Sequence, residues 1–385
     1  MPAPTAREMI DRLIAIPSVS SVSPAFDQAN RAVIDELASW LEDDGWDVRI
    51  QELAHREGKA NLVARLGPPE GGLVLSGHTD TVPFDEARWS SDPFRPTERD
   101  GRLYGLGTTD MKAFLALAIE AARAFDADAL AEPVWLLATA DEECGMDGIR
   151  GLVADGGIPA RRAVIGEPTN NVPVRLHKGA SMEFLALEGR SGHASQPALG
   201  VNALDGMVDA LGVLREVMEE VSASSREPRL DPPHATLNLG RIEGGDNPNR
   251  ICARCRAEYD VRLLPGMDMS AIRDEVRRRL DTRLAGRGLG IELGPLFTPV
   301  PPFETPADAR LVQALEAMTS MPARGVSFAT EAPYLTDLGI ETVVLGPGDI
   351  AVAHQPDEYL ELDRVGPTVE LLRGVIWRFC VEPEG

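Results

Sequence analysis

The sequence predicts an α/β protein: an open mixed sheet flanked by helices, interrupted by a smaller inserted α+β domain of ferredoxin-like order. Three observations carry this. Apolar β-type runs alternate with helix-patterned runs, and several end in acids or a histidine at their C-terminal ends, as in open α/β sheets whose ligands bind at that edge. From residue 179 to 296 the pattern becomes strand, helix, strand, strand, helix, strand, a complete supersecondary unit. Finally, 385 residues exceed one ordinary core, so two domains are expected. Residues 1–178 and 297–385 would form the outer domain and 179–296 the inserted one.

In chain order, 5–16 and 30–44 carry apolar residues at helical spacing (Ile34, Leu37, Trp40 and Leu41 in the second) and read as amphipathic helices. Three β-rich runs follow at 48–53, 60–66 and 72–76, with Gly67-Pro68-Pro69 and Gly71-Gly72 as turns between the last two. Residues 85–100 read as a long polar loop, and an Ala-rich helix is expected over about 113–124. Runs 134–140 and 163–166 read as buried strands. Inside the insertion, strands are expected at 181–187, 235–242, 252–264 and 289–296, with helices at 202–221 and 270–284. The outer domain resumes with a helix at 308–318, a strand at 341–345 and a closing helix at 365–379.

The stretch that organises the chain is the run from Leu73 to Asp80. His78 and Asp80, two apart at a strand end, fall on one side of the chain. That suits a metal-ligating imidazole whose second ring nitrogen is held by a carboxylate. More acids arrive at similar junctions. Asp110 sits at the mouth of the Ala-rich helix, where an Asp alone would be a cap. Asp141-Glu142-Glu143 follows one strand, Glu167 follows the next, and His354 comes late. Like charges gathered at one edge repel, and a bound cation resolves the conflict. Two metal ions with nitrogen and oxygen ligands need a bridging carboxylate plus a histidine and an acid apiece. His78, Asp110, Glu143, Glu167 and His354 offer that set. The lack of sulfur favours zinc, with cobalt or manganese able to substitute. Gly105-Leu106-Gly107 has no third glycine at dinucleotide spacing, which argues against a nucleotide cofactor.

With 61 acidic against 38 basic residues, the net charge of −23 argues against nucleic acid or an anionic membrane as partner. No apolar run approaches a membrane span, and the first residues lack the apolar core of a leader peptide. Four cysteines are too few for a disulfide framework, and the cytoplasm is the expected compartment. Cys252 and Cys255 lie in a β-like run, where a spacing of three would send them to opposite faces; both read as structural.

Together, Ser76-Gly77-His78-Thr79-Asp80, Gly107-Thr108-Thr109-Asp110-Met111-Lys112, Asp141-Glu142-Glu143, Gly166-Glu167-Pro168-Thr169 and Ala353-His354-Gln355-Pro356-Asp357-Glu358 resemble the di-zinc aminoacylase/carboxypeptidase family of metallohydrolases. The resemblance covers nearly the whole chain. It implies an open mixed-sheet metallohydrolase catalytic domain whose ferredoxin-like insertion acts as lid and dimerisation domain, hence a homodimer. It implies that Asp110 bridges two Zn2+ ions, with His78 and Glu167 completing one site, Glu143 and His354 the other, and Asp80 orienting His78. Glu142 would be the general base that takes a proton from the attacking water and passes it to the leaving nitrogen. On extended backbone, adjacent side chains point apart, so Glu143 can hold a metal while Glu142 faces the water.

His193, in the run from Ser191 to Pro197, matches the family's inserted-domain histidine, which stabilises the oxyanion in the partner subunit's site. Asn249 and Arg250 match substrate-contacting positions, although Cys252 replaces the family's usual proline nearby. Lys178, with His177, is a further substrate-side candidate. The segments 173–179, 236–240, 330–333 and 345–348 resemble most the branch that deacetylates N-acetylornithine. That small N-acyl amino acid is the expected substrate, with Glu331 a contact to it. Other acyl amino acids (acetylcitrulline, succinyl-diaminopimelate, a broad aminoacylase range) are alternatives, but the desuccinylases carry a basic residue near Thr330-Glu331, where this chain has an acid. A non-catalytic metal-binding dimer is opposed by Glu142, since a purely structural site has no use for a non-ligand acid beside it. A serine hydrolase built on Ser191 or Ser195 lacks a nucleophile elbow.

Overall fold

Four apolar runs, Leu73–His78, Val134–Thr139, Arg162–Ile165 and Glu341–Val344, form parallel strands at the middle of a mixed sheet. They are buried almost throughout, as strands covered on both faces must be. The computed structural model describes residues 3–382; the two residues that open the expected outer domain and the three that close it lie outside. The described chain divides into two units. One runs up to Arg175 and adds Thr305–Arg324 and everything from Thr330; the other is Leu176–Glu304 with Gly325–Ala329. The second unit therefore starts three residues before the expected 179 and extends past 296, because the strand Val174–His177, absent from the sequence reading, carries the chain across the boundary.

In the first unit the sheet order is Asp47–Glu52, Ala60–Leu66, Val134–Thr139, Leu73–His78, Arg162–Ile165, Glu341–Val344, then Val174–His177, with antiparallel pairings towards both ends. The helix Lys112–Ala122 is buried on nearly every side, and glycines at the strand ends let its large side chains lie close to the sheet. A Cβ added at Gly77 would meet Met111 at 2.8 Å, and one at Gly166 would fall within the Phe114 ring. Ala6–Ile14, closed by a capping box between Thr5 and Glu8, and Val365–Ile376 pack against that helix.

The second unit is a four-stranded antiparallel sheet in the order Thr236–Gly244, Arg254–Leu263, Gly179–Glu188, Gly290–Pro295. Helices Ala203–Ser224 and Met269–Arg283 share its apolar core, which matches the ferredoxin-like expectation.

Three readings are corrected. The loop over 85–100 contains the strand Thr97–Arg99, hairpinned to Arg102–Tyr104 through Asp100-Gly101, both at positive φ. Asp-Gly is the favoured pair for such a turn, but three-residue strands are too short to show alternation. A helix at Asp147–Ala154 was not foreseen. Cys252 and Cys255 are not on opposite faces: both enter the second unit's core, because the strand begins only at Arg254 and the backbone before it is irregular.

Candidate metal centre

The parallel strands bring their C-terminal ends level, with His78 paired to Thr139 and Ser76 to Ile165. Three residues beyond Thr139 come Glu142 and then Glu143; two beyond Ile165 comes Glu167. Asp110 enters at the start of the Ala-rich helix, and His354 from a loop in which its own φ is +59°, a left-handed conformation uncommon outside glycine.

Asp110 lies between the two histidines. Its Oδ1 is 3.1 Å from His78 Nε2 and its Oδ2 is 3.2 Å from His354 Nε2. Each imidazole has a second acid of its own: His354 Nε2 is 2.9 Å from Glu143 Oε1, and His78 Nε2 is 4.0 Å from Glu167 Oε1. Donor atoms of His78, Asp110 and Glu143 lie within 4.8 Å of one another, as do those of His78, Glu142 and Glu167. All five expected ligands thus gather around one carboxylate, with Glu142 beside them. Nitrogen and oxygen donors paired in this way fit two divalent cations sharing Asp110.

The surrounding bonds hold the donors in place. His78 Nδ1 is 3.0 Å from the main-chain oxygen of Asp80 and 3.6 Å from its carboxylate. Asp80 therefore meets His78 chiefly through its carbonyl, and its carboxylate accepts the N–H groups of Glu142 and Glu143 at 3.3 and 3.1 Å. One oxygen of the buried Glu358 accepts from the N–H groups of Gly107, Thr109 and Asp110 at 3.0, 2.8 and 3.1 Å. The Glu167 loop is locked to the loop after Val344: a Cβ at Gly346 would lie 2.1 Å from the Gly166 oxygen. Glu358 had no assigned role, although it closes the motif that carries His354; its signal was an acid four residues after a ligand.

Burial, reinforced by neighbouring carboxylates, raises the pKa of Glu142 and Glu167 and takes Glu358 to about 8. Burial takes Glu331 to about 7. Hydrogen bonds to Asp110 and Glu143 take His354 to about 11. Each of these groups binds its proton more tightly folded than unfolded, so the metal-free protein loses stability as pH rises through the folded values. Lys112, lowered to about 7 by burial, opposes this, as do His177, lowered to about 4, and Lys178, also lowered by burial. The metal-free Tm is therefore expected to be lower at about pH 8.5 than at about pH 6.5. An added divalent cation should raise Tm more at the higher pH, since ligands bind metal deprotonated. Equal gains at both pH values in a thermal scan would contradict this.

The other expected site residues are placed as follows. Glu331 is buried in the first unit, near enough to His78 and Asp80 for their charges to act on it. Its Oε1 has no hydrogen-bond partner among the described residues. His193, Asn249 and Arg250 belong to the second unit. An isolated bridge pairs His193 with Arg250, and Ala194 N–H donates to the Asn249 oxygen at 2.9 Å, so the structure draws these three together on an exposed rim. His193 Nδ1 is 2.7 Å from Ser195 Oγ. Lys178 is 1% exposed and donates to the His234 main-chain oxygen at 2.8 Å, while burial lowers His177 to about 4. Both have structural surroundings within the second unit.

The family model of peptidase family M20/M25/M40 matches residues 74–378. The chain is 43% identical over 377 residues to an acetylornithine deacetylase of Pasteurella multocida, covering 98% of each. It is 44% identical over 376 residues to one of Klebsiella pneumoniae, covering 97% of each. Among solved structures, it resembles an M20 family metallo-carboxypeptidase from Sulfolobus solfataricus, with a TM-score of 0.77, 18% identity, and coverage of 97% of this chain and 98% of that one. It also resembles a dinuclear metal-binding peptidase of the M20 family from Bacillus subtilis, with a TM-score of 0.67, 16% identity and 96% of each chain covered. At such identities these two structures speak to the fold.

Proposed function

The chain belongs to peptidase family M20/M25/M40, and from that premise we propose that it hydrolyses N2-acetyl-L-ornithine to L-ornithine and acetate. The observation that carries this reading is its identity of more than 40%, over nearly the full chain, to enzymes named acetylornithine deacetylase. The product points to arginine biosynthesis, and zinc, with cobalt or manganese as substitutes, suits the donor set. No helix of the described residues is long and apolar enough to cross a membrane; the cytoplasm is the proposed compartment.

His78, Glu167 and Asp110 would hold one ion, and Glu143, His354 and Asp110 the other. Such ions, when bound, polarise an amide carbonyl and acidify water. The protein's own groups supply the rest. Glu142 takes the proton of the attacking water and delivers it to the leaving nitrogen. Asp80, through the N–H groups of residues 142 and 143, keeps that carboxylate in place. His193 stabilises the oxyanion in the partner subunit's site. Asn249 and Arg250 contact the substrate.

The dimer would form through the second unit. Its strand Thr236–Gly244 is an edge, paired on one side only, and Leu199, Leu204, Val208 and Ile242 are exposed. An open edge carrying an exposed Ile242, in a unit with further exposed apolar side chains, suits an interface.

Specificity is assigned to Glu331. A buried carboxylate with an orphaned oxygen seeks a cation, and the side-chain ammonium of acetylornithine provides one. Glu331→Gln is expected to lower kcat/KM for N-acetylornithine by about 100-fold, and that for N-acetylmethionine much less. Equal losses on the two substrates would show that Glu331 serves the fold instead.

A further inference from the structure

A second charged cluster lies in the first unit, and no step above uses it. Lys59 is 2% exposed, and its ammonium donates to Asp27 Oδ1 at 2.7 Å, to Ser20 Oγ at 3.2 Å, and to Asp141 Oδ1. Ser20 Oγ in turn donates to Asp141 Oδ1 at 2.7 Å. Two residues on, inside the strand Ala60–Leu66 that Lys59 precedes, Asn61 Oδ1 accepts from Ala140 N–H at 3.1 Å and Asn61 Nδ2 donates to the Gly148 oxygen at 2.8 Å. The stretch 59–61 therefore grips the segment that carries Glu142 and Glu143 at three points.

Asp141 is the pivot of that segment. Its φ is +57°, and its carbonyl accepts from Gly145 and Met146 N–H at 3.1 and 2.8 Å. A left-handed residue other than glycine persists where its surroundings over-determine it, and here they do. The next two residues then part company: Glu142 joins His78 and Glu167, while Glu143 joins His78 and Asp110 and meets His354. A buried ion pair is by itself weak evidence of anything but structure. What sets this one apart is that its carboxylate begins the turn that sorts a base from a ligand.

We propose that Lys59 is a positioning residue for the hydrolysis: through Asp141 it fixes the turn that aims Glu142 and Glu143 at different parts of the metal centre. The inference rests on the roles assigned to those two glutamates above. Removing the ammonium alone would leave the buried Asp141 with only the more distant Arg56 guanidinium, Nε 3.7 Å from Oδ2, as a cation, so the informative variant is Lys59→Met/Asp141→Asn, which removes both charges of the close pair. Asp27→Asn is the comparison, because it takes a partner from the same ammonium without touching the turn.

The double variant should match the native circular dichroism and elution volume. Its kcat on N-acetylornithine should fall about 10- to 100-fold with KM changed less than about threefold, and its affinity for one of two Zn2+ ions, measured by chelator competition, should fall about 10- to 100-fold. Asp27→Asn should keep kcat and both affinities within about twofold, whatever its Tm. Native kcat and affinities in the double variant, or equal losses in Asp27→Asn, would reduce Lys59 to an ordinary structural ion pair. If the double variant does not fold, single Asp141→Asn against Asp27→Asn decides by the same readouts. Zinc competition needs no substrate, so a native protein inactive on N-acetylornithine would defeat the substrate assignment and leave this test standing.

Discussion

Glu142→Gln is expected to keep both metal ions and lose about 10³- to 10⁴-fold in kcat. The substitution is nearly isosteric and retains hydrogen-bonding capacity, but an amide cannot hold the proton in transit. Glu142 sits with His78 and Glu167, its donor atom within 4.8 Å of theirs. In the metal-free protein, burial and then the charge of Glu167 push its pKa well up, the condition of a carboxyl group able to carry a proton. Metal content by elemental analysis and steady-state kinetics on the same preparation separate the possibilities. Near-native turnover would remove Glu142 as the base. Loss of a metal ion along with activity would make it a ligand.

Glu142→Ala and His193→Ala proteins, each inactive alone, are expected to recover activity when unfolded and refolded together. Suppose His193 serves the partner subunit's site. In a mixed dimer one site then inherits both lesions, and the other combines an intact Glu142 with an intact His193. Random pairing makes about half the dimers mixed, so roughly a quarter of native activity should return. If His193 acts within its own chain, every site carries one lesion and nothing is recovered. Exchange between the two variants can be verified with differently tagged chains. Well-folded, exchanging variants that stay inactive would reject the shared site.

Much of this was legible in the sequence, for identifiable reasons. The runs ending at His78, Thr139 and Ile165 are nearly continuous in apolar residues, as buried parallel strands must be, and chemistry at their C-terminal ends follows from the topology of such sheets. His78, Glu143 and Glu167 stood at junctions of that kind, while Asp110, at a helix mouth, and His354, in a late loop, were gathered through the motifs that carry them. What stayed hidden depends on atoms rather than patterns. Asp80 meets His78 through a main-chain oxygen, which no side-chain spacing announces. The burial of Cys252 in the same core as Cys255 follows from where a strand begins, the least predictable feature of any element. The partners of Glu358 lie about 250 residues away in sequence. Lys59 and Asp141 meet across 82 residues; a lysine before a strand and an aspartate after one look like surface charges until the fold closes them together.

The central claim, metal-dependent hydrolysis of N-acetylornithine, is tested most directly by acetate release from a panel of N-acyl amino acids, with and without a chelator and with zinc or cobalt restored. The account predicts that N-acetylornithine is turned over with the highest kcat/KM of the panel, that chelation abolishes the activity while far-UV circular dichroism is largely retained, and that either metal restores it. Acetate release that survives complete chelation, or a panel in which N-acetylornithine is untouched while another acyl amino acid is cleaved, would contradict it.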